Sequence, residues 1–162
     1  MTGENYLAIS IADQQLTLFE NGQCVLTFPV STAKNGAGER KSSECTPRGW
    51  HKIRAKIGDK HPLNSVFIGR RPTGEIYDPA LGKRYPQRDW ILTRILWLGG
   101  LESGKNRYGQ VDSTWRYIYI HGSPDELITG LPGSHGCIRM KNADILTLFN
   151  RVNAGLHVYI HE

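Results

Sequence analysis

Cysteine is scarce in this sequence: three residues, Cys24, Cys45 and Cys137, in a chain of 162. An odd number cannot all pair, which argues against a disulfide framework and fits a reducing compartment where a reactive thiol stays free. No apolar run approaches the roughly eighteen residues of a membrane-spanning helix, and Met1-Thr2-Gly3-Glu4-Asn5-Tyr6 holds no basic stretch leading into an apolar one. The expected location is therefore the cytosol, without a membrane span. His51, His61, His121, His135 and the cysteines show none of the CxxC, HxxxH or HExxH spacings that hold zinc. Neither a metal site nor a cofactor is expected, and His157 and His161 read as surface positions on a terminal strand. Repeats and low-complexity tracts are also lacking, so no repeat architecture is in question.

What is present describes an ordinary globular chain. A hydrophobic content of 39% with 22% charged residues over 162 positions suits one domain, 1–162, with a real core. The net charge is +5, but the Lys and Arg are scattered apart from Arg70-Arg71 and Lys83-Arg84. No nucleic-acid partner is expected from that pattern. A basic surface also suits an anionic ligand, such as a sugar nucleotide or a peptide carrying several carboxylates.

Strand signals dominate. Tyr6–Ile11, Gln15–Glu20 and Gln23–Val30 are short apolar-rich runs, and Asn21-Gly22 between the last two is a strong two-residue hairpin signal. Trp50–Ile57 alternates, with Ile53, Ala55 and Ile57 on one face and Lys52, Arg54 and Lys56 on the other. Gly58–Gln87, with four prolines, reads as long loops around one short strand near Val66–Ile68. Trp90–Leu98 and Trp115–His121 read as further strands, joined by a glycine-rich connection through Gly99-Gly100. One helix is expected after Asn142 as N-cap, with Ile145, Leu148, Phe149 and Val152 forming its apolar stripe and Gly155 beyond its end. A final strand follows at Leu156–Ile160. The fold class is thus mainly β, with one helix directly after the segment around Cys137. Cys24, in an apparent strand, is assigned to the core; Cys45, in a polar loop, is given a structural or neutral role.

The chemistry concentrates in Ser134-His135-Gly136-Cys137-Ile138-Arg139-Met140, which places Cys137 sixteen positions after the His121 of His121-Gly122. A thiol becomes a nucleophile when a neighbouring base takes its proton, since only the thiolate attacks carbonyl carbon. In the alternating segment before it, Tyr117, Tyr119 and His121 share one face while Ile118 and Ile120 share the other. His121 therefore points outward at a strand end and is assigned as the base. His135, two residues from Cys137 in a glycine-bracketed turn, is assigned as a wall of the cleft. The amides of Gly136 and Cys137 are candidates to face a developing oxyanion. Arg139 is placed to bind a substrate carboxylate or to brace the loop, and Tyr119 is either a cleft wall or a strand aromatic.

At these residues the sequence resembles the L,D-transpeptidase catalytic domain (YkuD) family, whose signature pairs His-Gly with a Ser/Thr-His/Lys-Gly-Cys run. Val30-Ser31-Thr32 and Thr46-Pro47-Arg48-Gly49 resemble the family's upstream ST and TPxG segments, so the likeness spans nearly the whole chain. It implies a YkuD-like β-sandwich or β-barrel of mixed strands, with Cys137 as nucleophile, His121 as base, and Ser134, Gly136, Gly122 and Arg139 around the cleft. It also implies acyl transfer on the stem tetrapeptide of peptidoglycan, carried by a muropeptide or a nucleotide-linked precursor, and carbapenem acylation of Cys137. Removal of the terminal D-Ala by water, an L,D-carboxypeptidase activity, is the expected outcome in the cytosol. Formation of 3-3 cross-links is the alternative, and a non-catalytic peptide binder is the reading from another class. The loop Ala33–Cys45 and the stretch Gly58–Gln87 are longer than a minimal domain needs, and are expected to shape substrate choice.

Overall fold

The computed structural model describes residues 4–162; Met1–Gly3, part of the segment read above for a leader, lie outside the described residues. Ten strands form: β1 Tyr6–Ser10, β2 Gln15–Glu20, β3 Gln23–Ser31, β4 Gly49–Ile57, β5 Ser65–Ile68, β6 Arg71–Ile76, β7 Ile91–Gly100, β8 Tyr119–Gly122, β9 Ile138–Met140 and β10 His157–His161. Two helices accompany them, α1 Pro79–Arg84 and α2 Asn142–Arg151. The strands run β4-β10-β1-β2-β3-β9-β8-β7, and β7 pairs back to β4 to close a barrel. Two of its pairings, β1 with β10 and β8 with β9, are parallel. The β5–β6 hairpin hangs outside the ring on β7.

Alternation explains the interior. Leu7 and Ile9 of β1, Leu16 and Leu18 of β2, Leu96 and Leu98 of β7 and Val158 and Ile160 of β10 all point inward and are buried. Each such side chain contributes about 1.5–3 kcal/mol on leaving water. The α2 stripe of Ile145, Leu148, Phe149 and Val152 belongs to the same core. At the end of α2, Lys56 donates from Nζ to the carbonyls of Phe149 and Val152, both at 2.7 Å. A cation there satisfies two orphan carbonyls and opposes the helix dipole. The Asn21-Gly22 hairpin forms as expected, with φ of 52° and 74° at the two turn residues.

Several expectations need correcting. Cys24 is exposed rather than in the core, because the β2–β3 hairpin tip runs past the barrel and a bulge at Leu18/Phe19 shifts its register. The Gly58–Gln87 stretch holds more than one strand: β5 and β6 form a hairpin, and Asp78 caps α1 by accepting from the Leu81 amide at 2.8 Å. Before β8, residues 115–117 form a turn rather than strand, with Tyr117 at φ 56°. Gly99 and Gly100 belong to β7, where a Cβ on Gly100 would collide with the backbone of Asn106. Asn142 is the first helical residue, not the cap, which is Lys141. Its side chain instead ties three segments together, donating to the Ser123 carbonyl and Asp125 Oδ1 and accepting from Thr93 Oγ1.

Candidate active site

The turn carrying Cys137 is held from three sides. β9 lies between β3 and β8, with Ile138 and Met140 buried in the core, so the residue before it sits at the mouth of the barrel. Thr46, from the Thr-Pro-x-Gly segment, donates from Oγ1 to the Gly136 carbonyl and accepts from the Ala33 amide, both at 2.9 Å. Ser134 Oγ donates to the Cys137 carbonyl and accepts from the Gly136 amide at 3.2 Å. Gly136 adopts φ +135°, and a Cβ there would press on the Cys45 carbonyl and Ile118 at 3.3 Å. Glycine is the residue that fits that backbone.

Cys137 is half-buried, and desolvation pushes its thiol up to about 12. The thiol donates to the Tyr117 carbonyl and accepts from the Tyr119 amide, both at 3.3 Å. Its resting partners are thus backbone groups of the turn before β8 and of the first residue of β8, the strand that leads to His121. The left-handed conformation of Tyr117, a strain of roughly 1–3 kcal/mol for a non-glycine residue, is part of the segment that presents this carbonyl.

His121, at the end of β8, is 1% exposed, and burial lowers its imidazole below the usual range. Nδ1 lies 2.6 Å from the Gly122 carbonyl. A carbonyl only accepts, so Nδ1 carries the proton and Nε2 keeps its lone pair. Neutral and tautomerically fixed, the ring is set up to accept a proton. Gly122 thereby serves behind the imidazole, and packing excludes any side chain on it: a Cβ would meet the Leu92 carbonyl at 2.5 Å.

Cys137 and His121 line one cavity of about 520 Å³, together with Tyr117, Tyr119, Ser134, His135, Arg139, Arg70, Asp89, Ile91 and Gly69. His135 is exposed on its rim. Gly136 stands behind the turn, its amide occupied by Ser134 Oγ. Arg139 donates to the Gly133 carbonyl at 3.2 Å and pairs with Asp89 at 3.1 Å. A neighbouring cavity of about 520 Å³ shares Asp89, His135 and Arg139 and is otherwise walled by α1, Tyr77, Trp90 and Leu127. The Arg139–Asp89 pair therefore stands between two spaces.

Sequence reasoning missed four residues here. Asp89 carried no motif. Arg70 was noted only as one of two adjacent arginines, yet it donates to the Tyr119 hydroxyl at 2.9 Å and stacks 5.1 Å from the Tyr117 ring. Arg116 is half-buried and clasps the Ala33–Cys45 loop, donating to the carbonyls of Gly38, Glu39 and Cys45. Thr46 was visible as part of a motif, but its two hydrogen bonds were not. Among the described residues, no group of three or more His, Cys, Asp or Glu is placed to hold a metal, and no helix is long and apolar enough to cross a membrane.

Solved structures share this architecture. An L,D-transpeptidase from Xylanimonas cellulosilytica (residues 123–326) aligns with 19% identity and a TM-score of 0.56, covering 99% of this chain and 62% of that one. One from Mycobacterium smegmatis gives 19% identity and 0.57, covering 98% and 59%. L,D-transpeptidase 3 from Mycobacterium tuberculosis, solved with a faropenem-derived adduct, gives 17% and 0.58, covering 98% and 60%. The chain thus spans about three-fifths of the length of these structures. No curated protein matches it. The sequence model of the L,D-transpeptidase catalytic domain, YkuD, matches residues 4–160. With that match taking in the His121-Gly122 strand end, the Cys137 turn and the barrel that joins them, the chain belongs to the L,D-transpeptidase catalytic domain family.

Proposed function

We propose that the protein is a cysteine acyl-transfer enzyme acting on peptidoglycan stem peptides, and that it removes the terminal D-Ala from tetrapeptide stems as an L,D-carboxypeptidase. The observation that carries this is that an uncharged thiol and a buried imidazole, its Nδ1 proton fixed on a carbonyl and its Nε2 free of one, line one open cavity. As Cys137 Sγ attacks the carbonyl of the third stem residue, its proton passes to His121 Nε2, the S–C bond forms and the carbonyl electron pair moves onto oxygen. The Cys137 amide faces that oxyanion, and Arg139 holds the turn. Collapse breaks the C–N bond, and His121 returns the proton to the departing amine. Water, deprotonated by the same imidazole, then splits the thioester to a carboxylic acid and the free thiol.

Exposed His135 and Tyr117 on the rim of the cleft are compatible with water as acceptor. Three unpaired cysteines suit the cytosol, where the substrates are soluble muropeptides or nucleotide-linked precursors. A second reading, L,D-transpeptidase, is favoured by the neighbouring cavity, which meets the first at His135 and Arg139 and has room for an amine acceptor. Incubation with a disaccharide tetrapeptide and mass analysis of the products tests both. Tripeptide with free D-Ala is the expected result; cross-linked dimers support the second reading, and unchanged substrate overturns both. Mass spectrometry is also expected to show Cys137 acylated by a carbapenem, an expectation supported by a solved L,D-transpeptidase in complex with imipenem.

A further inference from the structure

A third cavity, of about 210 Å³, lies beyond Trp97, and the cations Lys52, Arg54 and Arg107 line it with the exposed rings of Tyr108 and Trp115. Its one acid, Asp112, is already engaged. Oδ2 accepts from the Tyr108 amide at 2.6 Å, and Oδ1 accepts from the amides of Thr114 and Trp115 at 2.9 and 3.4 Å. None of the three cations joins an ion pair among the described residues. The arginines are instead spread on rings: Arg54 lies 5.1 Å from Trp97 and 5.6 Å from Trp115, and Arg107 lies 4.6 Å from Tyr108. Stacking of this kind fixes the guanidinium plane and leaves its N–H edges available to an anion.

This cavity is joined to the thiol by aromatic rings. Trp115 lies 6.2 Å from Trp97, and Trp97 lies 6.4 Å from Tyr117, whose carbonyl accepts the Cys137 thiol hydrogen. Arg70 covers the junction, 4.5 Å from Trp97 and 5.1 Å from Tyr117. Two ring-to-ring steps are comparable with the reach of a three-residue extended stem, about 10 Å. At the opposite end of that stem from the scissile bond is its sugar.

We propose that the Lys52–Arg54–Arg107 cavity binds a diphosphate attached to the sugar end of the stem-peptide substrate, while the peptide lies along Tyr117, Trp97 and Trp115 to Cys137. The inference rests on the acyl-transfer reading above and extends it from the peptide to the group that carries the peptide. A space below the roughly 300 Å³ at which pockets for whole drug-sized ligands begin matches a charged group with neighbours rather than an entire nucleotide. Planar guanidinium forks suit phosphoryl oxygens, and a lysine adds a point charge. Tyr108 and Trp115 supply faces for a ring attached on either side.

The test compares muramyl tetrapeptide linked to a nucleoside diphosphate, the same compound linked to a short prenyl diphosphate, and a phosphate-free disaccharide tetrapeptide. The diphosphate substrates are expected to show the lower KM, rising about fivefold in each of Lys52→Ala and Arg107→Ala with kcat unchanged, while KM for the phosphate-free substrate stays put. A preference for the nucleoside form assigns the rings to the base; equal use of both forms assigns the cavity to the diphosphate alone, and either upholds the proposal. Equal KM for all three, or a loss common to all three in the variants, overturns it. Calorimetric titration of pyrophosphate into Cys137→Ser protein keeps the cavity separate from the chemistry. Binding that weakens about fivefold in each cation variant supports the site even if no substrate is turned over, in which case only the acyl-transfer reading falls. Absence of binding, or binding equal in wild type and variants, removes the site even if the hydrolysis is found.

Discussion

The two sides of the cleft contrast sharply. On the barrel side, His121 and the Cys137 turn stand on β8 and β9, strands whose inward side chains are fully buried and whose loop is pinned by Thr46 and Ser134. On the other side, the arm of β5, β6 and α1 touches the barrel mainly along β7; α1 buries no residue, and Ile68 and Ile76 are 60% and 50% exposed. The arm nonetheless places Arg70 against Tyr119 and provides walls for the second cavity. Reacting atoms need fixed positions, which close packing gives; walls that choose among ligands can rest on fewer contacts. Under the proposed function the chemistry stands on β8 and β9, while the arm, anchored through the buried Val66 and Phe67 of β5, lends its hairpin turn and α1 to the cavity walls.

Changes on the barrel side are expected to abolish or cripple turnover. Cys137→Ala removes the nucleophile and should lower D-Ala release by about 10⁴ or more, while thermal melting stays close to wild type. His121→Ala should cost about 10²–10⁴ in kcat. Because burial lowers the imidazole and raises the thiol to about 12, the resting pair is neutral, and wild-type activity should persist below pH 6.5 until His121 protonates. A pH–rate profile whose acid limb lies above 6.5 contradicts this account of the pair.

The frame beneath the turn comes next in size. Thr46→Val leaves the Gly136 carbonyl and the Ala33 amide without a partner in a buried place, a loss of about 3 kcal/mol, read by urea denaturation. An unchanged midpoint would show that the turn does not depend on Thr46. His51, fully buried in β4, bonds the Gly49 carbonyl and Ser113 Oγ, and burial lowers it from 6.5 to about 4. Between those values the unfolded chain binds a proton that the folded chain refuses, so stability falls as pH drops through the window, by about 3 kcal/mol at its lower end. Melting curves of wild type and His51→Asn should therefore converge between pH 6.5 and 4. A constant difference would rule out His51 as the source.

The smallest effect is expected on the arm. Arg88 pairs with both carboxylate oxygens of Glu75 and stacks 4.2 Å over Trp90. Both members of the pair are partly exposed, so Arg88→Gln should leave the melting midpoint nearly unchanged. If the arm selects rather than reacts, the variant changes KM and spares kcat; a loss confined to kcat would erase the contrast between the two sides.

Much of the barrel was legible in the sequence because alternation reports which face of a strand is buried. β1, β2 and β3 lie within one residue of their expected bounds, and the Asn21-Gly22 turn joins the last two. Tyr119 and His121 were correctly placed on one face. Where pattern and packing part, the reading failed. Asn142 looks like a cap by residue type, but its amide is spent on Ser123 and Asp125, and Cys24 looks like core until a bulge and a protruding hairpin carry it into water. The β6 strand and α1 have exposed, proline-interrupted sequences, with no apolar period to reveal them.

By itself, then, the sequence determined the family and singled out Cys137 and His121 as the candidate pair, since a thiol, an imidazole and their glycine-bracketed turn are local properties that spacing preserves. Only the tertiary structure decided how those groups rest. It set the thiol against the backbone of Tyr117 and Tyr119, turned Nδ1 of His121 onto the Gly122 carbonyl, and brought Asp89, Arg70 and the Lys52–Arg54–Arg107 cluster to their cavities. Arg139 meets an aspartate 50 positions away and Lys52 and Arg54 share a cavity with Arg107; such meetings, like the seating of the thiol on a neighbouring strand, depend on how the barrel closes, and closure has no signature in any short stretch of chain.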